Sequence, residues 1–468
     1  MITYLLKRYL HKSILLQRIL GLFLTFKVKP ANCEEDRVIF TKTPFAKKEF
    51  TFDLKLVVSD KIKGNARIIR LIDFKNNEIY QWKTKCPPLN KCIRSLYRNI
   101  SPYKARYFDV GAFFYGIKKE HSAHMNITGT YICVTCGFYI QIIDVLGIKS
   151  RIFPGNYLDQ VWMYCDTSSF SSDGQYCYTV RWTLEDQIGI IDNHCTDINC
   201  QILKVKLDNL EYEVLGNVKY TDCIHQICCS PDEKHLVITS FKQDLYLPYP
   251  RQSIYLNPKG YQKSHEKGIK PGKILTFDIM TKEYWYTSIP NPVPAHIEFD
   301  PKLPNVFYLS THNMKTYQST LFLEGNGAIY KLRIDQYATY ITGCYQDGEF
   351  YRITQPEVFE YDKKTYIAVT NTPDKLDIID CEKMDLKKRI IVSKSPGLNF
   401  SRLGSALAPE SKNIYFSSNA SEHGRYILLG SYGGFKLYDM DTEQLIDLKS
   451  ILPQNTTLGL GHPRKKGS

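Results

Sequence analysis

One mark recurs along this chain: a short apolar, strand-like run that ends in aspartate. Leu-Ile-Asp73, Ile-Ile-Asp144, Ile-Ile-Asp192, Thr-Phe-Asp278, Arg-Ile-Asp335, Ile-Ile-Asp380 and Leu-Tyr-Asp439 carry it. The gaps between them are 71, 48, 86, 57, 45 and 59 residues. The shorter gaps fit one four-stranded blade, and the longer ones a blade with a loop insertion. No long run of helical period follows residue 30. A period of this size that carries only strand signals predicts an all-β chain, a seven-bladed β-propeller. Blades bury their faces on one another, so 468 residues read as one closed unit rather than several. The divisions are an N-terminal amphipathic helix and linker over 1–36, the propeller over 37–455 and a C-terminal tail over 456–468. The segment Phe40 to Phe52 is a source for the strand that closes the ring.

Composition narrows the partners. The net charge is +13, but the basic residues are scattered and none of the denser clusters is interleaved with aromatics. That pattern argues against a nucleic-acid groove and for a solvated basic surface or a preference for anionic ligands. Fourteen cysteines lie mostly within strand-like runs, Cys133, Cys136, Cys177, Cys228 and Cys229 among them. Adjacent strand residues face opposite sides, so Cys228 and Cys229 do not share a site. The thiols read as small buried apolar groups in a reducing, cytoplasmic compartment. Cys86 and Cys92, around a Pro-Pro turn, are the best candidates for a pair. Residues 3–26 are apolar but broken by Lys7, Arg8, His11, Lys12 and Arg18. This is neither a secretory h-region nor a bilayer span. It reads as a basic amphipathic helix that docks on the propeller, makes weak membrane contact or meets a protein partner.

The third blade is the clearest in sequence. His225-Gln-Ile-Cys-Cys-Ser-Pro-Asp232 precedes Glu-Lys-His-Leu-Val-Ile-Thr-Ser240. This resembles the repeat of WD40-like and YVTN-type propellers, as does Tyr-Ile-Ala-Val-Thr-Asn371. In such a blade the inner strand starts at one mouth of the channel and the second strand returns to it. His121, Asp166, His225, His296 and Gln355 open inner strands at one mouth by that rule, and His312 ends a second strand there. Only 11 histidines occur in the chain, and four of them fall at this mouth. Structural hydrogen bonding within blades explains such histidines singly. As a set they suit a site.

Imidazoles from several strands are ligands for Mn, Fe, Zn or Cu, and a site with open positions acts as a Lewis acid. The run from Pro294 to Tyr361, with His-x-x-Phe-x-Pro, Ser-x-His and a later Thr-Gln-Pro, is similar to motifs of oligogalacturonate lyase. That family is a seven-bladed propeller whose metal is held by three histidines and a glutamine. The resemblance implies a divalent transition metal on His296, His312 and Gln355, with His225 joining the set or lying near the substrate. His225, Asp166 and His121 are then the candidates for proton transfer. Arg352 and Glu357 flank Gln355 where that family has a close histidine pair, so the substrate does not carry over. Neither a Gly-x-Ser-x-Gly elbow, a P-loop nor His-Glu-x-x-His is present. Two classes of function remain. One is a metal-dependent enzyme, by lyase or oxidative chemistry, on a small anionic substrate. The other is a non-catalytic scaffold that meets a protein partner through the insertions Asn76 to Ile117 and Lys242 to Gly272. The second insertion carries Tyr246, Tyr249, Tyr255 and Tyr261.

Overall fold

A strand that ends in aspartate carries its own turn. In a computed structural model, Asp278 Oδ1 accepts hydrogen bonds from the backbone N–H groups of Met280 and Thr281, both at 2.8 Å. Asp380 does the same for Glu382 and Lys383, and Asp73, Asp144 and Asp439 each cap one turn amide. Such side-chain-to-backbone bonds are why aspartate is favoured at turns. The turn closes on a left-handed residue just before the next strand: Asn77, Ile148, Leu210, Lys282, Gln336, Met384 and Glu443, one per blade. The repeat in the sequence is therefore the repeat of a hairpin.

The structure describes residues 36–45, 55–59, 66–85, 122–126, 128–136, 139–153, 162–165, 167–183, 186, 197–220, 223–241, 271–291, 293–312, 315–317, 320–322, 327–346, 356–371, 375–392, 415–420, 424–431 and 434–448. The expected N-terminal helix, the pair Cys86 and Cys92, and the four tyrosines of the second insertion lie outside them. Blade one is built from β2 (Ile39–Pro44), β3 (Lys55–Ser59), β4 (Ala66–Asp73) and β5 (Glu78–Lys85), preceded by the short β1 (Asp36–Arg37). Blade two is β6 (Ser122–Met125), β7 (Tyr131–Cys136), β8 (Tyr139–Asp144) and β9 (Lys149–Phe153). Blade three is β10 (Trp162–Tyr164), β11 (Ser169–Phe170), β12 (Tyr176–Thr183), β13 (Ile198–Lys206) and β14 (Tyr212–Tyr220). Blade four is β15 (Cys223–Cys229), β16 (His235–Phe241), β17 (Gly272–Asp278) and β18 (Tyr284–Ile289). Blade five is β19 (Val293–Phe299), β20 (Val306–His312), β23 (Ala328–Asp335) and β24 (Ala338–Gln346), with a small hairpin of β21 (Lys315–Tyr317) and β22 (Thr320–Phe322). Blade six is β25 (Glu357–Tyr361), β26 (Lys364–Asn371), β27 (Lys375–Asp380) and β28 (Asp385–Ile391). Blade seven is β29 (Tyr415–Ala420), β30 (Tyr426–Ser431), β31 (Gly434–Asp439) and β32 (Gln444–Asp447).

These are seven antiparallel sheets, and the fold is the seven-bladed β-propeller that the repeat predicts. Apolar layers fill the joints between blades. Cys133, Phe153, Tyr164 and Leu203 join blades two and three, and Ile72, Phe74, Leu428 and Leu437 join blade seven back to blade one. The joint between blades one and two is polar at its centre. Arg67, fully buried, donates to Gln141 Oε1 at 2.6 Å, and Gln141 Nε2 donates to Thr84 and Ser150, each at 2.7 Å. The eight described free cysteines follow the expected pattern, seven being buried and Cys344 exposed.

Three expectations are corrected. Asp192, the third mark, lies outside the described residues, in the sequence between β12 and β13. The third strand of that blade is β13, and Lys206 holds the position of the aspartate, its N–H donating to Glu211 O as Asp278 N–H donates to Glu283 O. Glu78–Lys85 is a strand, so the first insertion starts after it and not at Asn76. The stretch Ile39–Pro44 pairs with β5 as the outermost strand of blade one, and β1 pairs with β9 of blade two. The N-terminal segment thus staples the outer edges of two neighbouring blades.

The left-handed residues give a direct test. Lys282 has φ +64°, a conformation that strains a side chain, and its ammonium lies 4.0 Å from the Glu213 carboxylate on the surface. Replacing it by glycine, Lys282→Gly, will raise stability by about 0.5–1 kcal/mol. A urea midpoint that falls, or does not move, goes against that account of the turn.

Candidate functional site

The two ends of the channel are built differently. In blades two to seven every connection at the end where the aspartates sit is at most six residues long. These turns bond to one another around the ring. Asn126 Nδ2 donates to Gly174 O at 2.7 Å, Ser172 N–H donates to Glu233 at 2.7 Å, and Lys302 pairs with Glu360 at 3.1 Å. The connections 86–121, 184–197, 242–271, 313–327, 347–356 and 392–414 all leave from the other end. Long connections on a rigid frame are where function concentrates. That end is also where inner strands start and second strands finish.

Among the described residues three inner strands depart from regular pairing at this end: β29 of blade seven, between Tyr415 and Ser417, and two in adjacent blades. In β15 the register jumps from Ile224↔Ser240 to Gln226↔Thr239, leaving His225 as the extra residue of a bulge. In β19 it jumps from Pro294↔Thr311 to His296↔Ser310. A bulge takes a residue out of the ladder and re-aims its side chain, and bulges cluster beside functional sites. Here they bring the rings of His225 and His296 together, 4.8 Å between centroids and edge to face at 64°. Both rings are half-buried. The contact crosses the joint between blades four and five.

The backbone around His296 is fixed from blade four. Gln226 accepts from Ile297 N–H at 3.1 Å and donates to Ile297 O at 3.1 Å. Thr239 Oγ1 donates to Ala295 O at 2.8 Å. The residues on both sides of His296 are thereby tied down by side chains that are themselves buried. His312 ends β20 and pairs with Val293 at the start of β19, so its backbone lies at the same end. Ser240 and Ser310 lie there too, and their buried hydroxyls have no hydrogen-bond partner among the described residues.

His121, Asp166 and Gln355 lie outside the described residues; His121 directly precedes β6, and Asp166 falls between β10 and β11. Among the described residues no three His, Cys, Asp or Glu side chains are grouped to hold a metal. The fit to a transition metal thus rests on two imidazoles in contact, which is a partial donor set of the right chemistry. Reading the sequence alone passes over Gln226 and Thr239. The signal for Gln226 is a polar residue inside an apolar strand, next to a histidine.

His235 opens the second strand of blade four, opposite Asp278 at the turn end. Its Nε2 lies 3.9 Å from the Asp278 carboxylate. Burial holds its pKa below the usual value, against the pull of Asp278 and Asp232. Above about pH 6.5 the ring is neutral in folded and unfolded chains alike. Below that the unfolded chain takes up the proton first, so folding stability falls with pH until the folded ring also titrates. His235→Gln will flatten the stability profile below about pH 6.5 relative to the parent. Parallel profiles in urea titrations will disprove this.

No protein-family model matches the chain, and no curated protein matches it in sequence. Solved structures do resemble it. Hydrazine synthase of Kuenenia stuttgartiensis is 14% identical, with a TM-score of 0.46, over 69% of this chain and 77% of that one. Oligogalacturonate lyase in complex with manganese is 9% identical, with a TM-score of 0.46, over 86% of this chain and 95% of that one. At such identities the likeness is one of fold, and the chain is a seven-bladed β-propeller.

Proposed function

We propose that the protein is a metal-dependent enzyme that acts on a small anionic molecule at the histidine end of the channel. The observation that carries this reading is the contact of His225 with His296 at two adjacent bulges. In this reading His225 and His296 hold a divalent transition metal, and His312 and Gln355 complete its ligands. Such a metal supplies Lewis-acid or redox chemistry when bound. Asp166 and His121 are the groups that move protons. The buried hydroxyls of Ser240 and Ser310 offer neutral hydrogen bonds near the same end.

Charge supports the anionic substrate. The connection 86–121 carries seven Lys and Arg against two Asp and Glu, and 242–271 carries six against two. Both leave the histidine end of the frame. The turn end instead collects the capping carboxylates of Asp73, Asp144, Asp278, Asp380 and Asp439. An uneven distribution of this kind draws anions toward one mouth.

Elemental analysis of the purified full chain tests the reading. About one equivalent of Mn, Fe, Zn or Cu per chain is expected. A chain that holds none, even after incubation with each metal and dialysis, overturns it. The same long basic connections would then favour the scaffold reading, with a protein partner.

A further inference from the structure

We propose that Gln226 is a positioning residue that sets the spacing of the His225–His296 pair. The inference concerns the geometry of the pair, and its consequence for metal binding rests on the function proposed above. Gln226 is buried and adjoins His225 in the chain, and its carboxamide bonds Ile297, the neighbour of His296, in both directions. One side chain therefore ties the residue beside one histidine to the residue beside the other. The bulge makes this possible. Gln226 pairs with Thr239, one step beyond the bulged His225, so its side chain reaches across the joint to blade five.

The two inner strands share no backbone ladder, since β15 pairs only with β16 and β19 only with β20. Apolar packing such as Cys228 and Val237 on Ile297 and Phe299 holds blades four and five together but fixes no register along the strands. A two-way amide bond does fix it, because the donor and acceptor must each find their partner within about 0.3 Å of the ideal distance. Thr239, bonded to Ala295 O on the other side of His296, limits rotation about that tie. The apolar layer therefore supplies attraction, and Gln226 supplies alignment.

The test uses Gln226→Met, which keeps the length and volume of the side chain and removes both hydrogen bonds. Selective isotope labelling of the histidine rings reads the pair by NMR without metal or substrate. In the parent a cross-relaxation signal connects the rings of His225 and His296. In Gln226→Met it is lost or falls at least fivefold, while the chain stays folded by circular dichroism. Co2+ alone then gives a second reading. Its dissociation constant rises at least tenfold in Gln226→Met, and its visible absorption spectrum changes shape. A merely structural role leaves that spectrum unaltered in the folded fraction. If Gln226→Met does not fold, Gln226→Glu at pH 8 replaces it, since a carboxylate accepts from Ile297 N–H but cannot donate to Ile297 O. An unchanged ring-to-ring signal in a folded variant overturns the proposal. If the parent binds no Co2+ yet the variant loses the ring contact, the positioning role stands and the metal reading fails.

Discussion

His296→Ala will reduce the affinity for bound metal by about 100-fold or more while the chain stays folded. His312→Ala will do the same. Each imidazole is one of only three or four protein ligands in the proposed site, so its loss removes a large share of the binding. Stability will fall by only about 1 kcal/mol, because His296, although within β19, is half-buried and lies outside the apolar layer between blades four and five. His235→Gln is the control at the far end of blade four and will leave metal content unchanged. Metal content by elemental analysis, set beside a urea midpoint, separates the outcomes. If both histidine variants unfold, these side chains are structural. If both fold and keep the parent's metal, the site lies elsewhere.

Gly424→Ala will cost about 3 kcal/mol or more, a large stability effect for a single methyl group. Gly424 has φ +64°, and a Cβ built on it would meet the Glu360 carbonyl oxygen at 2.0 Å and the Phe359 ring at 2.6 Å. Backbone strain and a clash with the neighbouring blade's main chain act together there. Gly129 separates the two causes. It has φ +71°, but its nearest neighbour is the Met125 sulfur at 3.9 Å. Gly129→Ala should therefore cost only the strain, about 1 kcal/mol. Equal costs at the two sites, by urea or thermal unfolding, would falsify the claim that blade-to-blade contact at the turn end holds the ring tight.

The frame was legible because its repeat has a local cause. An aspartate that caps a turn must sit at a fixed place in a hairpin, so six of the seven marks fall at strand ends. Blade three escaped because its turn is closed by Lys206 and Leu210 without the aspartate, and Ile-Ile-Asp192 stood nearby in sequence. The outer strands β1 and β2 were not legible. Their role depends on pairing with β9 and β5, more than 30 residues away in sequence, and all six residues of β2 are exposed, so no alternation announces a face.

The same distinction holds at the histidine end. Strand direction alone puts the backbone of His312 beside the start of β19, and the register sets it opposite Val293; His296 lies three residues farther along, opposite Ser310. What strand direction could not reveal was the contact of His225 with His296. They are not equivalent positions: Gln226, not His225, is the counterpart of His296 when the two blades are aligned by register. The bulges decide it, and a bulge is a matter of hydrogen bonding between strands rather than of residue type.

The unequal ends of the channel have a consequence for how such a protein can change. At the turn end each blade grips the next through short, capped segments, and a residue added there would have to be absorbed all the way round the circle. At the histidine end the frame asks nothing of a connection except that it leave one strand and return to another. Length, charge and aromatic content can therefore drift on that side for long periods without disturbing the ring. A chain built this way separates the problem of staying folded from the problem of recognising something new, and assigns each to its own face.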